Sequence, residues 1–265
     1  MTDDLGSRYL RFERRGSVGW CIVDRLDARN ALTPAMYFGI RNAVALVHQS
    51  SSLRALVITG SDDVFIPGGD MRPPELQDDD TRNVGALIGT DVLPFKTLRE
   101  TTVPVVASVN GLCQGGGLII ATLSDIAVAS ERATFRAPET LRGIVDANLA
   151  SILPAHVGLA QARDLLITGR RVDAHEAERL GLIARVVAHD DLESETTRAV
   201  KDLLSAAPEA RIQVKRLINA QYAPIDQITF EASIASDETR EGFTAFVEKR
   251  SPGWIPEDFR TGGRL

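Results

Sequence analysis

The chain has 265 residues, 44% of them hydrophobic and 25% charged, with a net charge of −6 at pH 7. That length allows one large domain with or without a smaller appendage, and the composition is that of a globular protein with a sizeable core. The acidic balance argues against a general nucleic-acid or membrane-surface binder, and no apolar run in the sequence reaches the roughly 18–20 residues of a membrane-crossing helix.

The first fifteen residues, MTDDLGSRYLRFERR, hold no apolar core of a secretory signal, so the cytoplasm is the expected location. Cys21 and Cys113 sit among apolar neighbours and read as buried free thiols. His48, His156, His175 and His189 have no partners at metal-ligand spacing, and no metal site is expected.

VGWCIVD at 18–24 predicts a strand, followed by a polar turn, RLDARN. Thr33 and Pro34 then open a helix, threonine as its cap and proline at its first position. Met36, Ile40, Val44 and Val47 recur at helical spacing and mark a buried face. RALVITG at 54–60 predicts a second strand. The segment 66–83 is too rich in Gly, Pro and Asp for regular structure and reads as a mobile loop. A helix is expected over about 84–98, a buried strand over 104–110, a helix behind the glycines at 115–117, and a strand over 125–130. This alternation implies an α/β architecture with crossover connections. Beyond residue 150 the pattern is helical except for a short strand at 182–188, which separates a core over 1–190 from a helical region over 191–265. The polar tail after Trp254 is expected to fray.

The phosphate-loop, dinucleotide and nucleophile-elbow motifs are absent. Two glycine sites remain, each following a strand: Gly68-Gly69-Asp70 and Gly115-Gly116-Gly117. A helix start leaves its first N–H groups without intrahelical partners. Two such groups converging on one carbonyl oxygen would stabilise an oxyanion, and glycine lets a substrate approach without a Cβ in the way. The alternative is loop flexibility at the first site and helix–sheet packing at the second.

The stretches RNAL (29–32), FIPGGDM (65–71), VPVVASVNGLCQGGG (103–117), SDIAVASERATFRAPETLRGI (124–144), LLITGRRVDAHEAERLGLIARVV (165–187) and EGFTAFVEKRSPGW (241–254) together resemble the crotonase, or enoyl-CoA hydratase/isomerase, superfamily. The resemblance runs from the first predicted strand to Trp254. It implies a spiral of ββα units and a helical C-terminal region that closes the site and builds a homotrimer, or a hexamer as a dimer of trimers. It implies an acyl-CoA thioester as substrate, with coenzyme A entering as part of that substrate and no separate cofactor. The backbone N–H groups of Gly69 and Gly116 match the family's oxyanion donors. Arg29 and Ala31, and Gly68, Asp70 and Met71, match stretches bordering the coenzyme A adenine and phosphates. Lys249 and Arg250 match a C-terminal basic site for coenzyme A phosphate. For the three basic residues, a solvated surface charge is the alternative.

Hydratases of this family commonly use two glutamates around one water. The first of these positions is Ile119 here, and no carboxylate lies between Gly111 and Ser124. The second matches Glu139, whose alternative role is an acid in a helix's first turn after Pro138. One carboxylate beside an oxyanion hole suffices to move a proton within a substrate, so the resemblance favours double-bond isomerisation, with Ile119 keeping the cavity dry. Asp146 falls near a position where some relatives carry a catalytic aspartate. It would support hydration of an unusual enoyl-CoA as the second group, or simply cap the next helix. Arg136 and Arg142 flank Glu139 and would lower its pKa or meet a polar substrate. A non-catalytic acyl-CoA-binding paralogue, or hydrolysis or decarboxylation of a CoA ester, are further readings.

Overall fold

Strand formation begins earlier than the first apolar run. In the computed structural model, which describes residues 3–70, 72 and 93–260, Leu10–Arg15 forms β1, with Leu10 and Phe12 buried and Arg11 exposed between them. This period-two alternation is that of a strand with one covered face. β1 pairs antiparallel with Val18–Val23, β2.

Thr33 caps α1, Pro34–Gln49; its hydroxyl oxygen accepts the Met36 N–H at 3.1 Å, and Met36, Tyr37, Ile40, Val44 and Val47 are buried. Ala55–Gly60 (β3), Val64–Ile66 (β4) and the short helix Phe95–Glu100 (α2) follow. Most of the loop expected over 66–83, and the first part of the helix expected over 84–98, lie outside the described residues. Of that helix the described part is Phe95–Glu100, preceded by a bend at 93–94. Val105–Val109 (β5) and Leu112–Gln114 (β6) lead into Gly116–Leu123 (α3), and Ile126–Ser130 (β7) into Thr134–Arg136 (β8) and Ala147–Thr168 (α4). Arg171–Asp173 (β9), Ala174–Leu180 (α5) and Arg185–Val187 (β10) complete the strands.

β1-β2-β3-β5-β7-β10 form a six-stranded sheet, parallel from β2 onward, and β4-β6-β8-β9 form a four-stranded one. The pairs β3/β4, β5/β6 and β7/β8 each give one strand to either sheet and are followed by a helix. This repeat is the ββα spiral that the resemblance implies. Its smaller sheet is built from three-residue strands that no apolar periodicity announces.

The chain divides into two compact units: the described residues of Met1–Phe135 with Val172–Gln221, and those of Arg136–Arg171 with Tyr222–Leu265. In the first, Leu192–Ser205 (α6) covers the large sheet. Trp20, Ile22, Val57, Val106, Val128 and Val200 form its core, each large aliphatic side chain contributing roughly 1.5–3 kcal/mol on burial. Pro208–Asn219 (α7) buries none of its residues and leaves Val214, Leu217 and Ile218 exposed.

In the second unit, Gln227–Ile234 (α8) and Asp237–Glu248 (α9) pack beside α4 and the 3-10 turn Glu139–Arg142. A side chain at Gly242 would strike the Arg142 backbone at 2.6 Å, so α9 lies directly on that turn. The Thr239 hydroxyl donates to the Gly143 carbonyl at 3.0 Å, and the Val145 N–H to the Ser233 hydroxyl at 3.0 Å. After Trp254 the Arg260 guanidinium donates to the Ile255 carbonyl at 2.8 Å. Among the described residues no helix is long and apolar enough to cross a membrane.

Candidate active site

The two glycine sites stand at the ends of neighbouring strands. β4 and β6 pair in parallel, with Ile66 opposite Cys113; Gly68-Gly69 follows the first and Gly115-Gly116-Gly117 the second. Gly68 (φ +110°) and Gly115 (φ +50°) adopt left-handed backbone that side chains disfavour. Gly116 and Gly117 are glycine for want of room: a Cβ would lie 2.2 Å from the Tyr37 hydroxyl at Gly116 and 2.1 Å from the Ile66 carbonyl oxygen at Gly117. Helix–sheet packing, the alternative reading of the second site, is therefore real for Gly117, while Gly116 at the helix start is half-buried.

The Gly69 segment is held from its flanks. The Leu32 N–H donates to the Gly68 carbonyl at 2.9 Å, and the Asp70 N–H to the Leu32 carbonyl at 2.8 Å. Asp70 is locked by the fully buried Arg25 (Nη1–Oδ2 2.7 Å) and by Arg72. These bonds pin both neighbours of Gly69 and leave its own N–H without a partner among the described residues. The Gly116 N–H, first in α3, has no intrahelical acceptor. Ile119 is buried in a helix whose residues from Gly117 to Leu123 are all buried.

In the second unit, Glu139 opens the 3-10 turn, and its Oε2 is inaccessible with no hydrogen-bond partner among the described residues. Burial, then the charge of Asp146, pushes its pKa up to about 8 against the opposing pull of its own N–H, Arg142 and Arg136. The arginines do lower it, as their placement suggested, but desolvation outweighs them. Asp146 caps α4, its Oδ1 accepting the Leu149 N–H at 2.8 Å. Burial raises it to about 6 although the Leu149 and Asn148 amides oppose the shift. The capping role and the proximity to Glu139 thus coexist in one side chain. The Arg142 guanidinium lies 4.5 Å from the Phe246 ring centre, and its Nε has no partner among the described residues.

The coenzyme-binding expectations divide. Arg29 takes a left-handed conformation (φ 50°) and lines a polar groove with Asn30, Asp62, Arg132 and His189. The Ala31 carbonyl accepts from Arg25 at 2.9 Å, and the Asp70 carboxylate is committed to its two arginines. Met71 lies outside the described residues. In the second unit, Lys249 ends α9 in a left-handed turn (φ 56°), and Arg250 is engaged by Glu241 at 2.6 and 2.8 Å and by Glu248 at 2.6 Å. Arg250 therefore reaches a phosphate only by exchanging these carboxylates for it. Sequence reasoning did not single out Tyr37, which stands on the buried face of α1 with its hydroxyl oxygen against Gly116.

The spiral of ββα units, with a glycine turn after each of two paired strands, defines an α/β fold of the crotonase type. The sequence profile described as Enoyl-CoA hydratase/isomerase matches residues 13–257, and the chain belongs to that family, the crotonases. It is 30% identical over 251 residues to a probable mitochondrial enoyl-CoA hydratase of Dictyostelium discoideum, covering 91% of this chain and 89% of that protein. It is 32% identical over 249 residues to a probable enoyl-CoA hydratase of Rhizobium meliloti (strain 1021), covering 91% and 95%. Its fold matches the crystal structure of an enoyl-CoA hydratase/isomerase from Pseudoalteromonas atlantica T6c with a TM-score of 0.79 at 31% identity, over 94% of this chain and all of that one.

Proposed function

We propose that the protein isomerises the double bond of an enoyl-CoA thioester with Glu139 as its single proton carrier. The observation that carries this reading is the Glu139 Oε2, buried and without a partner among the described residues, in a chain whose other family carboxylate position is the buried Ile119. A lone oxygen of that kind is free to take a substrate proton. Glu139 takes a proton from C2 of a 3-enoyl-CoA, the thioester oxygen gains charge, and the Gly69 and Gly116 N–H groups hold it. The same proton returns at C4, leaving the double bond between C2 and C3. Proton transfer of this type contributes about 10²–10⁴-fold, and oxyanion donors about 10²–10³-fold each.

The charge of Asp146 acts on Glu139, and this observation supports a second reading, hydration, in which Asp146 handles water while Glu139 handles the carbon proton. Retention of Glu139 weighs against a silent acyl-CoA binder. Arg29, Ala31, Gly68, Asp70, Met71, Lys249 and Arg250 remain the candidate coenzyme A contacts, with Asp70 acting through its ion pairs. The uncovered apolar face of α7 suits burial in a homotrimer or a dimer of trimers.

Incubation with a trans-3-enoyl-CoA, and separately with a trans-2-enoyl-CoA, tests the reading. A conjugated product of unchanged mass, absent with Glu139→Gln, is expected. A product heavier by one water would replace isomerisation with hydration, and no product from either would sink both.

A further inference from the structure

Glu139 and Asp146 are joined by a short loop, residues 143–145, that two side chains of the C-terminal helices hold. The loop first closes on the turn of Glu139: the Ile144 N–H donates to the Glu139 carbonyl at 3.0 Å and the Gly143 N–H to the Thr140 carbonyl at 3.2 Å. It then meets the corner between α8 and α9. The Val145 N–H donates to the Ser233 hydroxyl oxygen at 3.0 Å, and the Gly143 carbonyl lies 3.0 Å from the Thr239 hydroxyl. Gly143 (φ +74°) has no room for a side chain there, since a Cβ would lie 2.5 Å from the Glu238 carbonyl carbon. Ser233 and Thr239 are both buried. A helical serine commonly donates to a carbonyl of the preceding turn, as Ser233 does to Phe230 at 2.7 Å. What α8 does not require is the second bond, in which the same oxygen accepts from the residue before Asp146.

From this geometry we infer that Ser233 is a positioning residue for the reaction: with Thr239 beside it, it fixes the loop between the two carboxyls and so sets the distance from Asp146 to Glu139. The inference rests on Glu139 as the proton carrier. Asp146 is held from its other side as the cap of α4, so the helix start and the Ser233 corner grip it from both directions. The charged groups that act on Glu139 are Asp146 and, in the opposite sense, Arg142 and Arg136; among the described residues none comes from α8 or α9. These helices therefore influence the carboxyl by where they hold the loop and not by a charge of their own. The interaction of two charges falls with their separation, so a slack loop weakens the push of Asp146 on its neighbour.

Isomerisation of a trans-3-enoyl-CoA is followed against pH for wild type, Ser233→Ala, Ser233→Thr, Asp146→Asn and the Ser233→Ala/Asp146→Asn double variant. Ser233→Ala should move the rising limb of kcat/KM about 0.5 pH unit lower, the change that a displacement of an ångström or two makes between charges at close range. Ser233→Thr keeps the hydroxyl and should keep the wild-type limb. In the Asp146→Asn background Ser233→Ala should move the limb no further, because the charge it positions is gone. The position of a limb does not depend on the fraction of protein folded, so lost stability does not imitate the shift. Thr239→Val serves the same comparison if Ser233→Ala does not fold. An unmoved limb in the alanine variant, or an equal shift with and without the Asp146 carboxylate, would overturn the positioning role and leave Glu139 in place. Full isomerisation by Glu139→Gln would overturn the proton carrier, and Ser233 with it.

Discussion

Replacing Glu139 with glutamine should make the protein more stable in alkaline solution, although it removes the proposed proton carrier. The buried carboxyl holds its proton to about pH 8, against an ordinary value of 4.5. Between those values the folded chain binds more protons than the unfolded one, so stability falls as pH rises through this window. At about 1.4 kcal/mol per pH unit, full ionisation costs the native state on the order of 5 kcal/mol. A neutral glutamine amide escapes that cost while filling the same space. Wild type and Glu139→Gln should therefore melt within about two degrees of each other near pH 5 and diverge by roughly 10 °C near pH 9, the variant melting higher. Differential scanning calorimetry at a series of pH values measures this directly. Parallel Tm curves for the two proteins would show that Glu139 is not desolvated in the native state, and the argument for an orphaned, poised carboxyl would fall. The same ionisation sets activity: a base must be deprotonated to act, so kcat/KM for isomerisation should climb with pH towards about 8 in wild type.

Asp146→Asn keeps the helix cap, because asparagine caps as well as aspartate, so near pH 4, where the buried carboxyl still holds its proton, stability should change by less than about 1 kcal/mol. It removes the carboxylate charge that helps to raise Glu139, and the rising limb of the pH–rate profile should move to lower pH; an unmoved limb would mean that the two carboxyls do not interact. Gly116→Ala forces a methyl group to within 2.2 Å of the Tyr37 hydroxyl oxygen, whereas without that oxygen the nearest ring carbon is 3.1 Å away. Urea denaturation should show Gly116→Ala strongly destabilised and partly relieved by Tyr37→Phe, with a coupling of about 1 kcal/mol or more, and strict additivity would refute the contact. Arg25→Met leaves the Asp70 carboxylate without its buried partner and should cost about 3–5 kcal/mol in the same assay; a loss below about 1 kcal/mol would show that Arg72 alone satisfies Asp70.

The long elements were legible because they carry a period. α1 announced its start through Thr33-Pro34 and its face through Met36, Ile40, Val44 and Val47, and all of these sit as the spacing demands. β5 is buried along its whole length, as a continuous apolar run in a parallel sheet should be. The four-stranded sheet was illegible for the opposite reason: three residues contain no repeat, and only chain entry from the large sheet defines Val64–Ile66 or Leu112–Gln114 as strands. β1 did carry an alternation, Leu10 and Phe12 against Arg11 and Glu13, but its charged positions masked it. At the site, the glycines and Glu139 could be read from motif order, because their chemistry depends on backbone and on one residue type. Arg25–Asp70 and Tyr37–Gly116 could not, since each joins residues far apart in the chain whose meeting only the folded sheet determines. Asp146 carries two roles at once, and a motif assigns one role to a position.

The bridge between Leu32 and Gly69 has a consequence for how this family member tolerates change in length. Leu32 bonds to residues 68 and 70 and passes over the one between them, so donor and acceptor alternate along the segment like the teeth of a comb. The backbone position opposite Leu32 turns its amide away from the bridge whichever residue fills it. A residue inserted after Ile66 would bring Gly68 to that position, and a residue removed would bring Asp70 with its carboxylate. The length between β4 and the bridge therefore decides which side chain stands beside that amide.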